Sequence, residues 1–210
     1  MDVYLSPSCM IDYYTFYVQG LYDLFGGKSV RFSAAKFPLF KHGYMTLVFE
    51  DSASSHAFKV IIDAFDKPSY ANNIGWCDVY AKVNVDPENI PEEHAAKILP
   101  IGPSFSTKVW TTAQALVYAG ANFFRTRGRI NQRRRFLAAY LRPGRYRLPE
   151  SAYQPEASSR DSIFFAGTLW DNADLTNQRR AAFIETCRSI PSLHFEGGFA
   201  PPYSKRKQVR

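Results

Sequence analysis

The feature that most constrains this chain lies near its C-terminal end. Ser162-Ile163-Phe164-Phe165-Ala166-Gly167-Thr168 is an apolar run closed by glycine and threonine. A helix-like stretch follows, then Leu193-His194-Phe195-Glu196-Gly197-Gly198. That order is the pattern of a strand–helix–strand unit. One such unit cannot make a stable parallel sheet by itself. The sequence therefore reads as one complete domain over residues 1–150, a linker over 151–160, and the opening of a second, truncated domain over 161–210.

The linker reading rests on Leu148 to Arg160, which holds two prolines, three serines and few aliphatics. The rest of the chain has the means to form a core: 46% of its 210 residues are hydrophobic and 16% are aromatic, which argues against disorder. No apolar run approaches the ~20 residues of a membrane span. The N-terminus lacks the basic start and long apolar stretch of a secretory signal. Cys9, Cys77 and Cys187 are far apart and odd in number, so they suggest buried free thiols in a reducing cytosol.

Short apolar runs predict strands at Val3–Leu5, Ser29–Ser33, Tyr44–Phe49, Phe58–Asp63 and Lys97–Ile101. Asp78–Val85 alternates, with Val79, Ala81, Val83 and Val85 on one side and Tyr80, Lys82 and Asn84 on the other. It reads as a half-buried strand. Helical spacing is present over 11–25, 111–124 and 131–142. In the second of these, Leu116, Ala119, Gly120 and Phe123 share a face; Pro143-Gly144 closes the third. Strands alternating with helices indicate α/β layers and a mostly parallel sheet, with Tyr44 to Asp63 alternatively a hairpin.

In open parallel sheets ligands bind beyond the carboxyl ends of the strands. Those ends carry Ser6-Pro7-Ser8, Asp63 with Asp66, Asn84 after Lys82, and Gly102-Pro103-Ser104. Asp63 is the candidate general base, because a carboxylate at a strand end can take a proton from a hydroxyl. The plainer reading is that Asp63 and Asp66 cap a loop or pair with Lys67. Gly167-Thr168 is either a phosphate-binding turn, with Arg179 and Arg180 on the following helix adding charge, or an ordinary tight turn. No D-x-D, H-E-x-x-H or G-x-S-x-G occurs, and the four histidines have no partners at metal or triad spacing. No metal or cofactor is expected.

The net charge of +7 is unevenly placed. Between His94 and Pro149 there is no acidic residue, and that stretch carries two lysines and nine arginines. The remainder holds 15 basic and 19 acidic residues, a net of −4. The cluster Arg125, Arg127, Arg129, Arg133, Arg134 and Arg135 has three readings. It rests on an anionic membrane, at about 1 kcal/mol per basic residue close to the surface; it is a solvated helix face; or it binds nucleic-acid phosphates. Aromatics interleave poorly in 125–135, so nucleic acid has the least support.

Three blocks together resemble glycosyltransferases of the GT-B fold, notably exostosin-like enzymes and those of bacterial surface-polysaccharide assembly. They are Trp76-Cys77-Asp78-Val79-Tyr80-Ala81-Lys82-Val83-Asn84, Ile98-Leu99-Pro100-Ile101-Gly102-Pro103-Ser104-Phe105 and Phe164-Phe165-Ala166-Gly167-Thr168-Leu169-Trp170. The resemblance implies two Rossmann-like domains with mostly parallel sheets and flanking helices, facing a cleft. It implies metal-independent transfer of a sugar from a nucleotide-sugar donor to a hydroxyl of a saccharide or lipid-linked acceptor. Asp63, Ser6, Asp66, Lys82, Asn84 and Gly102 would border the acceptor; Gly167, Thr168, Arg179 and Arg180 would meet the donor diphosphate. The enzyme would be cytoplasmic, at the inner face of the membrane. Much of such a donor site lies beyond a single strand–helix–strand unit, so this chain alone is expected to be inactive, with Phe164, Phe165, Phe183 and Phe195 either short of cover or packed back on residues 1–150. The alternative is a non-catalytic basic module that binds phosphate-rich ligands or nucleic acid through Arg125–Arg147.

Overall fold

The computed structural model describes residues 1–38, 43–51, 53, 56–65, 67, 69–126, 130, 132–153, 162–169 and 174–200. The chain divides into two units, Met1–Gln154 and Pro155–Arg210. In the first, β1 (Asp2–Leu5) leads through a single 3-10 turn into α1 (Thr15–Phe25). Then come β2 (Val30–Phe32), β3 (Met45–Glu50), β4 (Ala57–Asp63), β5 (Val79–Lys82) and β6 (Ile98–Pro100). Two helices close the unit, α2 (Thr112–Arg125) and α3 (Arg133–Tyr146).

The unit is mixed α/β, built on a six-stranded sheet of order β2-β1-β3-β4-β5-β6. The pairs β1/β2, β4/β5 and β5/β6 are parallel; β3 runs antiparallel to both β1 and β4. The hairpin alternative for Tyr44 to Asp63 is thus the one realised. All strands except β3 point the same way, so the carboxyl ends of β1, β4, β5 and β6 share one edge.

Strand alternation sorts the side chains onto two faces. On one, Val3, Leu5, Met45, Leu47, Ile62 and Ala81 pack against Tyr14, Val18 and Leu21 of α1, Ala115 and Ala119 of α2, and Phe136, Ala139 and Tyr140 of α3. On the other, Ile61 and Tyr80 pack against Ala71, Ile74 and Cys77 from the β4–β5 connection. All three helices of this unit contribute to the first cluster, while a loop covers the second. Sealing each large apolar side chain contributes about 1.5–3 kcal/mol, which outweighs any single helix propensity along these short elements.

The helix ends follow local chemistry. α1 stops at Gly26, whose φ of 76° lies in the left-handed region that glycine adopts without strain. α2 starts with a capping box between Thr111 and Gln114. Packed rings then join the elements: Trp110 stacks on Tyr140 at 5.9 Å and lies tilted against Tyr118 at 5.0 Å and Phe32 at 6.3 Å. The indole N–H of Trp110 donates to the Tyr22 hydroxyl at 3.0 Å, which satisfies the one polar atom of that side chain.

Three expectations are corrected here. The strand at 79–82 is not half-buried, because Tyr80 and Lys82 are as inaccessible as Ala81; β5 is interior to the sheet and covered on both faces. Pro143-Gly144 does not close α3, which runs on to Tyr146 with Pro143 buried. On α2 the packed face is Ala115, Ala119 and Asn122, so Leu116 turns outward. Asn122 is held inside because its side-chain amide donates to the Tyr140 hydroxyl at 3.0 Å.

The second unit holds β7 (Ser162–Thr168), α4 (Asp174–Ser189) and β8 (His194–Ala200). β7 and β8 are parallel, in register from Ser162↔His194 to Thr168↔Ala200. Phe165 meets Phe183 of α4 at 5.4 Å. Phe164, on the opposite side of β7, is 76% exposed. Leu175 and Phe183 are exposed as well, whereas Phe165 and Phe195 are half-buried.

Candidate functional site

The shared carboxyl edge of the sheet positions Ser6, Asp63, Lys82, Asn84 and Gly102, the described residues of the predicted acceptor side. The register sets Asp63 directly opposite Lys82 across β4 and β5, on the loop-covered face. Lys82 Nζ donates to Asp63 Oδ2 at 2.9 Å, and to the carbonyls of Lys67 at 2.8 Å and Ser69 at 3.3 Å. All three ammonium donors are therefore used. The Tyr80 hydroxyl also donates to Asp63 Oδ2, at 2.6 Å, and accepts from the Ala71 amide at 3.1 Å. Asp63 Oδ1 accepts from the Phe65 amide at 3.0 Å.

These bonds close a knot that ties the start of the β4–β5 connection to the ends of both strands. Burial, and then the bond to the Asp63 carboxylate, push the Tyr80 hydroxyl far above its ordinary pKa, so it stays a donor. Burial does the same to Tyr14, whose hydroxyl accepts from the Ala64 amide at 3.3 Å. Asp63 is 1% exposed and Lys82 0%. In this conformation neither presents an atom to a ligand. The arrangement matches loop anchoring, with Lys82 as the partner in place of the Lys67 side chain; only the Lys67 carbonyl takes part.

Around the knot, Ser6 is buried and its Oγ lies 2.8 Å from Ser8 Oγ. Asn84 and Gly102 are exposed at the same edge, and the Gly102 carbonyl accepts from the Tyr17 hydroxyl at 3.3 Å. Asp66 lies outside the described residues. A separate apolar groove of about 310 Å³ flanks α1, with Phe16, Leu21, Leu24, Leu47 and Ile62 in its walls. Among the described residues, no predicted site residue lines it.

In the second unit, Gly167 and Thr168 end β7, and Arg180 Nη1 donates to the Thr168 carbonyl at 2.8 Å. This sets a guanidinium at the strand's end, with Arg179 exposed beside it in sequence. A Cβ at Gly167 would sit 2.9 Å from the Phe165 ring and 3.6 Å from that of Phe199. The glycine is thus explained by ring packing within the unit. Residues 170–173, between this turn and α4, lie outside the described set.

Of the arginine cluster, Arg125, Arg133, Arg134 and Arg135 are exposed; Arg127 and Arg129 fall outside the described residues. Arg125 donates to Asn122 at 2.8 Å and Arg135 to Gln132 at 3.3 Å, both neutral partners. Arg142 pairs with Asp12 at 3.5 Å.

Tyr80 completes the knot and Tyr14 holds the Ala64 amide next to it; neither is among the candidate site residues that the sequence marks. The signal for Tyr80 was its place two residues before Lys82, on the same strand face. Among the described residues, no cluster of three or more metal-ligating side chains is present, and no helix is long and apolar enough to cross a membrane. Compared with family models, curated proteins and solved structures, the chain matches none.

Proposed function

We propose that this chain belongs to a glycosyltransferase, with a Rossmann-like acceptor-side unit followed by a donor-side strand–helix–strand unit. The observation that carries this reading is topological. Asp63, the 76–84 block and the 98–105 block all terminate at one edge of a mostly parallel sheet, the edge where such sheets bind ligands. On this reading the hydroxyl acceptor meets the exposed groups at Asn84 and Gly102. The Asp63–Lys82–Tyr80 knot positions the connection beside them and does not take the proton. Arg180, at the end of β7, supplies positive charge to the diphosphate of a nucleotide sugar, with Arg179 as a second donor.

The test is a titration of the full chain with UDP- and GDP-sugars, followed by amide NMR. Perturbations confined to residues 162–189 and weakened at least tenfold in Arg180→Ala are expected. Absence of binding by every nucleotide sugar, together with no transfer to hydroxyl acceptors by the chain or a longer form of it, overturns the reading.

A further inference from the structure

The packing of α2 leaves an apolar stripe facing solvent. Leu116 is 55% exposed, Val117 68% and Phe124 78%. Their spacing, with Ala113 and Gly120, repeats at three and four residues and puts all five on one side of the helix. The buried residues Ala115, Ala119 and Asn122 occupy the opposite side. From Thr112 to Phe124 the helix carries no charge at all.

The end of the stripe is strongly basic. α2 packs on α3, and Arg133, at the start of α3, lies over the Phe123 ring at 6.0 Å. Arg125 and Arg133 thus stand at the end of the hairpin that carries Phe124, with Arg134 next in sequence. No acidic residue occurs between His94 and Pro149. Among the described residues the one ion pair in that stretch, Arg142 with Asp12, lies further along α3. Among the described residues, Arg125, Arg133 and Arg134 have no carboxylate against them.

We propose that this helical hairpin docks on an anionic lipid bilayer, with Leu116, Val117 and Phe124 entering the acyl boundary and Arg125, Arg133 and Arg134 meeting lipid phosphates. The combination selects this partner. An uncharged apolar stripe with a basic flank is the surface an interfacial helix presents. Nucleic acid would use the arginines and leave the stripe in water. A second copy of the chain would bring like charge to like charge, and three large side chains fall far short of the roughly 20–30 residues a side of a stable interface. The proposal does not depend on the transferase reading.

The test uses the full chain with vesicles of phosphatidylcholine alone and of equimolar phosphatidylcholine and phosphatidylglycerol. Binding to the anionic vesicles is expected to exceed binding to neutral ones at least tenfold and to weaken with salt. Arg133→Ala with Arg134→Ala should lower anionic binding by about 25-fold, from roughly fivefold per basic residue. Val117→Ser with Phe124→Ser should lower it at least tenfold with unchanged circular dichroism. In Phe124→Trp, the indole emission should shift to the blue on vesicle addition, a readout that does not depend on a destabilising change. Equal binding to both vesicle types, no effect of the serine pair, or unshifted Trp emission overturns the proposal. So does a concentration-dependent oligomer that the serine pair disperses, or retention of the chain on RNA with vesicle binding absent.

Discussion

The ammonium of Lys82 lies 2.9 Å from the Asp63 carboxylate, and neither side chain has more than 1% of its surface exposed. An ion pair sealed this well is costly to break, because removing one partner strands the other charge in the interior. Lys82→Met and Asp63→Asn are each expected to cost about 3–5 kcal/mol in urea unfolding. The double variant should cost less than the sum, since no lone charge remains. Losses below about 1 kcal/mol would mean that the pair is solvated, and would return Asp63 to candidacy as a general base.

Tyr80 shares that carboxylate. Tyr80→Phe removes the donor to Asp63 and the acceptor of the Ala71 amide together. A cost of about 1–3 kcal/mol is expected, smaller than for the ion pair. Hydrogen exchange at Ala71 should quicken; unchanged protection there would show that the hydroxyl does not hold the connection.

Asp12 gives a pH signature. Burial raises its carboxyl above the ordinary value, and the charge of Arg142 offsets only part of that. A folded-state pKa raised in this way means that the folded chain holds the proton more tightly than the unfolded one. The protonated form therefore favours folding; that contribution is complete below the ordinary value of about 3.9 and is lost as pH rises through the raised one. Asp12→Asn keeps the shape without the charge. It should raise the urea midpoint near neutral pH and leave it unchanged in acid below about pH 3.5. A lower midpoint at neutral pH would show that attraction to Arg142 wins.

Gly197 tests the second unit. Its φ is +113°, and a Cβ there would lie 1.9 Å from the Phe165 carbonyl oxygen. Gly197→Ala must shift β8 against β7, at a cost of about 1–3 kcal/mol. Faster proteolysis within residues 162–200, with the first unit unaffected, is the expected result. An unaltered digestion pattern would show that the β7–β8 pairing is looser than its register implies.

Period-two patterns made the strands legible. Val3, Leu5, Leu47, Ile61 and Ile62 each sit in short β-branched or aliphatic runs, and all became β1, β3 and β4. The packed face of α2 lies one position away from the face that its apolar residues mark. Leu116 has the more apolar side chain, yet Asn122 is the residue inside, because Tyr140 of α3 offers its amide a partner. A helix read in isolation holds no record of that partner, so hydrophobicity alone ranked the faces wrongly.

The candidate site divides in the same way. Residue types and strand ends marked Ser6, Asp63, Lys82, Asn84 and Gly102 as neighbours along one edge, a consequence of strand direction that local pattern carries. Whether Lys82 points to solvent or to Asp63 depended on two facts absent from the pattern. One is the β4–β5 register; the other is the loop that returns over that face. The sequence by itself determined which segments are strands and helices, because those preferences are set within a few residues. Only the tertiary structure decided which polar groups were buried and paired, because burial of a charge is stable only when a distant partner arrives to meet it.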